Sequence, residues 1–420
     1  MKVLIVGSGG REHAIAWKLR QSGRISQLYC APGNGGIAQI AELVPIKATD
    51  LEGMVEFARN RAIDLVFVAP DDPLAMGLVD AMEAAGIRAF GPRANAAVLE
   101  SSKSFAKDLM RRYQIPTAGF SVFTSQPEAM AYLEQATMPI VIKADGLALG
   151  KGVIIAQNRS EAKLAVQSMM SDEAFGQAGK TVVIEEFLTG PELTVLAFSD
   201  GWTVSPMVSS RDHKRAMDGD QGLNTGGMGA IVPGADLSAA DWAVMQQSIF
   251  QPTIDAMRAE GRPFKGVIYF GLMLTPQGPK VIEYNARFGD PEAQAVLPLL
   301  ATDLMDIIDA VLEERLDKLE IRWHPGFSCC VVLASGGYPG AYKTGYPIEG
   351  LEQVDPDCLV FHAGTRLENG RIVTAGGRVL GITAVAGSLG DAISKAYKEV
   401  AKVHFEAMHF RRDIGQTLPL

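Results

Sequence analysis

Short, wholly apolar runs alternate with amphipathic stretches over the first hundred residues. The runs are Val3–Val6, Leu28–Cys30, Leu65–Ala69 and Ile87–Phe90, and between them Glu12–Gln21, Leu51–Asn60 and Pro73–Ala85 carry helix spacing. Strands apolar on both faces, separated by helices, predict a parallel, doubly wound α/β sheet. A polar helix and Ile115-Pro116-Thr117 lead out of this unit. A smaller unit follows, in which Pro139–Ala144 and Gly152–Ala156 read as strands flanking a glycine-rich loop, Ser160–Met170 as a helix and Thr181–Phe187 as a third strand. The next stretch is α+β. Asp200-Gly201 signals a hairpin between Leu193–Phe198 and Trp202–Met207. Ser238–Glu260 reads as a helix, and Gly266–Thr275 and Lys280–Asn285 as antiparallel strands. Asp212–Gly234 is polar, glycine-rich and aperiodic, the pattern of a long functional or disordered loop. The last part is β-rich, with strands at Cys329–Ala334, Leu359–His362 and Arg378–Val385 and a helix over Leu389–His404. The expected division is 1–102, 103–322 with a small subdomain at about 119–189, and 323–420.

Charge narrows the partners. The 420 residues hold 39 Lys and Arg against 48 Asp and Glu, a net charge of -9 with no basic run to offset it. Nucleic acid and anionic membranes are excluded on that balance, while small anionic substrates stay open to local Lys and Arg. Cys30, Cys329, Cys330 and Cys358 show no metal-ligand spacing and predict buried, reduced thiols of a cytosolic protein. Val3–Gly7 is too short for a signal-peptide core, and no apolar run approaches the roughly 18 residues of a membrane span. A soluble, cytoplasmic chain is expected.

Five segments carry chemistry. Gly7-Ser8-Gly9-Gly10-Arg11-Glu12-His13 follows a strand and opens a helix, which predicts an anion site with Arg11 as charge partner. Glu12 stands where a dinucleotide fingerprint needs glycine, so NAD is disfavoured. Gly146–Gly152 runs from strand to strand and reads as a mobile flap over phosphates, with Lys151 at its tip. Lys143 sits in the apolar run Ile140–Ala144, where its charge calls for an anion. Glu185-Glu186-Phe187-Leu188 and Glu192 offer carboxylates to an adenine amino group or a ribose, or else an ordinary exposed strand end. Glu283 and Asn285 share one strand face and form a hard-oxygen pair suited to Mg²⁺ or Mn²⁺, with Arg287 beside it to balance charge. Asp212-His213-Lys214-Arg215 and Asn224-Thr225-Gly226-Gly227-Met228-Gly229 suggest oxyanion and substrate contacts, with His213 a possible general base.

The lysine arrangement, glycine flap and Glu-x-Asn strand resemble the ATP-grasp enzymes. Gly7–Ala14, Asp212–Arg215, Asn224–Gly229, Arg287-Phe288-Gly289-Asp290-Pro291-Glu292 and Arg412-Asp413-Ile414-Gly415 are similar to the phosphoribosylamine–glycine ligase family. The resemblance implies an ATP-grasp fold with an N-terminal parallel-sheet domain, a small mobile lid and a C-terminal β-rich domain. It implies ATP-dependent joining of glycine to 5-phosphoribosylamine through glycyl phosphate, with Mg²⁺ or Mn²⁺, in a monomer or small homo-oligomer. It assigns Lys103 and Lys143 to nucleotide phosphates, Gly150 and Lys151 to the flap, Glu185, Glu186 and Leu188 to adenine, and Glu192 to ribose. Glu283 and Asn285 bind the metal, and Gly9, Gly10 and Arg11 face the ribose phosphate. Asp212, His213, Lys214, Asn224, Thr225, Gly226, Gly227, Met228, Arg287 and Asp290 surround glycine and the transferred phosphate. The chain departs from the family at Ala69-Pro70-Asp71-Asp72, where Gly-Pro-Glu is usual, and at Leu223, where Pro is usual. Another ATP-grasp ligase or carboxylase, or an inactive nucleotide-binding homologue, are the alternative readings.

Overall fold

The computed structural model describes residues 1–147, 152–171 and 179–416. The N-terminal sheet is parallel, in the order β3-β2-β1-β4-β5: β1 Lys2–Gly7, β2 Gln27–Pro32, β3 Glu42–Leu43, β4 Leu65–Val68 and β5 Arg88–Phe90. Alternate side chains of the central strands enter opposite cores. Leu4, Val6, Val66 and Val68 pack on one face, and Val3, Ile5, Leu65 and Phe67 on the other. That two-sided burial is the reason these strands read as unbroken apolar runs. Helix α1 spans Gly10–Leu19 and α2 Leu51–Asn60. The single helix expected over Pro73–Ala85 is two, α3 Asp71–Ala75 and α4 Leu78–Ala84, because Gly77 between them takes a φ of 87°. Helices α5 Ala94–Ser101 and α6 Lys103–Arg112 then leave the sheet.

The small unit is an antiparallel sheet ordered β6-β9-β7-β8, from β6 Phe120–Phe123, β7 Ile140–Ala144, β8 Val153–Ala156 and β9 Val182–Glu186. Helices α7 Gln126–Leu133 and α8 Arg159–Met170 cover it. A second antiparallel sheet, β11-β10-β16-β17, is built from β10 Glu192–Asp200, β11 Val204–Pro206, β16 Lys265–Thr275 and β17 Gly278–Asn285. The stretch expected as an aperiodic loop is strand-bearing. It holds β12 Arg211–Asp212, a hairpin of β13 Arg215–Met217 with β14 Gln221–Asn224, and β15 Gly229–Val232. These strands are too short for periodicity to show. The Ser238–Glu260 helix is α9 Ala239–Met245 and α10 Gln251–Ala259 joined through a π-turn at Gln246–Phe250.

The C-terminal sheet crosses the expected boundary. β12 and β15 continue it beside β18 Phe327–Ser335, β22 Arg378–Ala386 and β19 Cys358–His362. A hairpin of β20 Thr365–Glu368 and β21 Arg371–Thr374 went unread, although Asn369-Gly370 at its turn is a strong hairpin signal. The last helix, α13, runs Leu389–Val400, shorter than expected. All four cysteines are buried and free. No helix among the described residues is long and apolar enough to cross a membrane.

Three buried imidazoles tie these parts together. The His362 backbone N–H donates to His13 Nδ1 at 2.8 Å, and the Gly415 N–H donates to His213 Nε2 at 3.1 Å. Burial, with His362 beside it, pushes His13 down to about 3. Burial pushes His213 and His362 to about 4. The folded chain keeps these rings neutral where the unfolded chain protonates them. Stability is therefore lost as pH falls below about 6.5, by about 2 kcal/mol per ring at about pH 5. Thermal unfolding is expected to have a clearly lower midpoint at about pH 5 than at about pH 8; equal midpoints would contradict neutral burial.

Candidate active site

The turn from β1 into α1 is shaped by its glycines. Gly7 has a φ of 121°, and a Cβ there would meet Glu12 Cγ at 2.6 Å. Glu12 turns back and accepts from the Gly9 N–H at 2.5 Å, capping the helix. The anion at this N-terminus is the chain's own. Asp290 Oδ2 accepts from the Arg11 N–H at 3.2 Å, and Oδ1 from Gln294 Nε2 at 2.7 Å, with Arg378 Nη1 3.3 Å away. Arg11, expected as charge partner of a phosphate, is buried against Glu12 at 2.5 Å and donates to the Phe288 carbonyl. Its guanidinium is not the open receptor the loop suggests. Asp290 stands 279 positions from Arg11, beyond the reach of local pattern.

The two lysines converge from different elements. Lys103, at the start of α6, donates to the Gly146 carbonyl at 2.8 Å. Asp145 secures that turn by accepting from the Ser104 N–H and hydroxyl, each at 2.7 Å. Lys143 in β7 is buried, donates to the Ile282 carbonyl at 3.0 Å and lies 3.0 Å from Glu185 Oε1. Glu185 is no exposed strand-end carboxylate. It is buried between Lys143 and Lys107, whose Nζ is 2.8 Å from Oε2. Its Oε1 still receives no aligned hydrogen bond from the described residues. Glu186 is exposed and pairs with Lys280 at 3.2 Å, and Leu188 is half-buried. Gly150 and Lys151 lie outside the described residues.

On β17, Glu283 and Asn285 face the same cleft. Lys214 Nζ bridges Glu192 Oε2 at 3.1 Å and Glu283 Oε1 at 3.5 Å. Burial opposes ionisation of Glu283, but Lys214, Lys143 and Lys103 overcome it and hold its carboxyl below the usual range. Asn285 Oδ1 accepts from Arg287 Nη2 at 3.3 Å. The same nitrogen sits 2.9 Å from Glu100 Oε1, while Glu100 Oε2 accepts from the Ala286 N–H at 2.7 Å. Asp71 lies close enough for its charge to act on both Arg287 and Glu100. Arg287 Nε is buried without a partner among the described residues.

Across the cleft, β12 presents Asp212. Gly227, at a φ of 111°, leaves room for it, since a Cβ there would lie 2.6 Å from Asp212 Oδ1. Gly289 does the same for Glu292, at 2.4 Å from Oε2. Burial and the charge of Glu292 push the Asp212 carboxyl well above its ordinary range, and burial raises Glu292 too. Burial thus biases both carboxyls toward their protonated forms. Asp212 Oδ1 has no hydrogen-bond partner among the described residues. His213 is not available as a general base: its Nε2 accepts from Gly415, and its Nδ1 lies 3.3 Å from the Gly229 carbonyl. Met228 is fully buried in the C-terminal core and touches no cleft. Asn224 pairs through its backbone with Arg215, and Thr225 Oγ1 donates to the Lys214 carbonyl at 2.9 Å. Tyr338, in the turn after β18, and Arg378, in β22, hold the Gly226-Gly227 turn through the Gly226 N–H at 3.0 Å and the Gly226 carbonyl at 2.5 Å.

Lys107, Glu100, Gln294, Arg378 and Tyr338 belong to this site and were not foreseen. Lys107 falls one helical turn after Lys103, a spacing that places both on one side of α6. Arg378 carries no local signal at all.

Three profiles of the phosphoribosylglycinamide synthetase family match the chain: its N domain over residues 1–100, its ATP-grasp (A) domain over 101–293 and its C domain over 328–417. The chain is 48% identical over 415 residues to a phosphoribosylamine–glycine ligase of Caldanaerobacter subterraneus subsp. tengcongensis, covering 99% of each. It is 50% identical to that of Halalkalibacterium halodurans, covering 99% of this chain and 96% of the other. Among solved structures, a phosphoribosylamine–glycine ligase of Thermotoga maritima superposes with a TM-score of 0.85 at 35% identity, over 99% of this chain and 100% of that one. A biotin carboxylase of Campylobacter jejuni superposes at 0.74 with 15% identity, over 97% of this chain and 92% of that one, and shares the fold. The chain belongs to the phosphoribosylamine–glycine ligase family of ATP-grasp enzymes.

Proposed function

We propose that this chain is an ATP-dependent ligase that joins glycine to 5-phosphoribosylamine, giving glycinamide ribonucleotide, ADP and phosphate in purine biosynthesis. The observation that carries the reading is the convergence of Lys103, Lys143 and Lys214 on the single carboxylate of Glu283, a concentration of positive charge suited to a polyphosphate. In this reading Lys103 and Lys143 hold nucleotide phosphates. Glu185 Oε1 accepts from the adenine amino group, with Glu186 and Leu188 beside the ring, and Glu192 meets the ribose. Glu283 and Asn285 supply two hard oxygens to Mg²⁺ or Mn²⁺, a set that fits a cation whose remaining ligands are phosphates and water. When bound, such an ion offsets charge on the transferring phosphoryl group.

A carboxylate is a poor electrophile. A glycine oxygen attacks the γ-phosphorus and ADP leaves, giving glycyl phosphate. The amine nitrogen of phosphoribosylamine then attacks the acyl carbon, phosphate departs and the nitrogen gives up a proton. The chain's part is positioning and charge balance. Asp212 with Glu292 receives the glycine ammonium, and Lys214 and Arg287 face the developing negative charge. Asp290 orders the glycine turn of α1 against the catalytic cleft. The working units are 1–102, 103–322 with its lid at about 119–189, and 323–420. The setting is cytoplasmic and the chain a monomer or small homo-oligomer.

The test is ADP release with glycine, with and without freshly generated phosphoribosylamine. Release that needs both substrates is expected. Release with glycine alone points to another amine acceptor, and none with ATP still bound would sink the ligase reading.

A further inference from the structure

Outside the residues given a direct role lies a buried cation with one evident purpose. Glu185 is flanked by two ammonium groups, Lys143 Nζ at 3.0 Å from Oε1 and Lys107 Nζ at 2.8 Å from Oε2, and all three side chains are almost wholly buried. Lys107 also donates to Thr117 Oγ1 at 2.7 Å, and that hydroxyl donates to the Val281 carbonyl at 2.7 Å. Lys143 donates to the next carbonyl, Ile282. Both lysines are thus registered on adjacent residues of β17, just before Glu283. With one lysine alone, the carboxylate would neutralise it, since a close pair in a dry site binds its own charge tightly. With two, the triad keeps one net positive charge. Glu185 pairs with both ammonium groups, and of the two only Lys143 also acts on Glu283 in the cleft, so the surplus is expressed at Lys143.

We propose that Lys107 is a positioning residue for the nucleotide: by occupying one oxygen of Glu185 it frees the charge of Lys143 for the phosphates and fixes Oε1 toward the base. The inference rests on the reading that this cleft takes ATP. Burial pulls Lys107 down to about 8, which leaves it charged at neutral pH. Asp145 faces Lys103, Glu283 is acted on by Lys143 as well as by Lys103, and Glu186 is the further carboxylate acting on Lys107.

Lys107→Met is expected to raise KM for ATP by about 10-fold or more, with kcat and KM for glycine within about 3-fold of the unsubstituted chain. Lys107→Arg, which keeps the charge, is expected to recover most of that loss. In a Glu185→Gln background the Lys107→Met change is expected to shift KM for ATP by less than about 3-fold, because the amide no longer competes for Lys143. An unchanged KM for ATP in Lys107→Met overturns the proposal. So does an equal penalty in both backgrounds, or a parallel loss in kcat and every KM together with a lowered thermal midpoint. Should Lys107→Met not fold, calorimetric ATP titration of the charge-removing Lys107→Gln, Glu185→Gln and the double variant reads the same coupling, and additive effects overturn it. Failure of the unsubstituted chain to bind ATP is a different result, which removes the nucleotide reading itself.

Discussion

Glu283→Ala is expected to lower steady-state turnover by about 1,000-fold or more while the chain stays folded. The carboxylate is where the ammonium groups of Lys214, Lys143 and Lys103 all act, and in our reading it is one of two protein oxygens for the divalent cation. Removing it subtracts a negative charge from the centre of a cationic cleft. The polyphosphate still finds positive charge, so ATP binding survives better than turnover. The fold survives as well. The Glu283 side chain keeps 32% of its surface exposed, and Lys214 retains Glu192 at 3.1 Å. Truncation therefore opens no cavity and strands no buried cation, the two mechanisms by which single changes cost several kcal/mol. ADP release across a range of Mg²⁺ or Mn²⁺ concentrations, with ATP titration and a thermal melt alongside, separates these effects. Turnover close to that of the unsubstituted chain would take Glu283 out of the metal site.

Asp290→Asn is expected to cost both activity and stability. The carboxylate joins three parts of the chain: the N-terminus of α1 through the Arg11 N–H, the following helix through Gln294 Nε2, and the C-terminal sheet through Arg378. Arg378 acts with Asp212 and Glu292 nearby, and its charge holds the Asp290 carboxyl below the usual range although burial opposes this. The amide has one acceptor where the carboxylate has two, and it brings no charge. Arg378 is left in the interior short of its counter-ion, at a cost of about 3 kcal/mol. The Gly226-Gly227 turn that Arg378 holds loosens with it, and Asp212 with that turn. Turnover is expected to fall by about 100-fold. Adding Arg378→Gln removes the stranded charge. It is expected to restore much of the thermal midpoint and little of the rate, because the turn still lacks its clamp. Wild-type melting and rate in Asp290→Asn would show that the three contacts are incidental.

The legible part of the site was the part that sits on one element. Glu283 and Asn285 share a strand face because side chains alternate there, and two residues of spacing are enough to say so. Lys143 in an apolar strand announced an unusual charge without naming its partner. Gly7 marked a backbone turn, which its φ of 121° bears out. The less legible part was who satisfies whom. The loop before α1 looked ready for a ligand's phosphate, and the carboxylate found there is Asp290. His213 looked free to move protons, and its Nε2 is held by the backbone of Gly415. Met228, within a string of substrate-like residues, is core. Asp212–Gly234 lacked any period, yet it delivers two strands to the C-terminal sheet, since a two-residue strand shows no pattern of its own.

By itself, then, the order of residues determined the longer strands, most of the helices, the turns that only glycine can make and the class of chemistry. Each of these is a local property, set by side-chain period, backbone sterics or residue type within a few positions. Only the tertiary structure decided the pairing of charge: Glu185 with Lys107, Glu100 with Arg287, and Asp290 with Arg378. Coulomb energy and desolvation depend on distance through space and on burial. Both are settled only when elements distant in the chain close on one another.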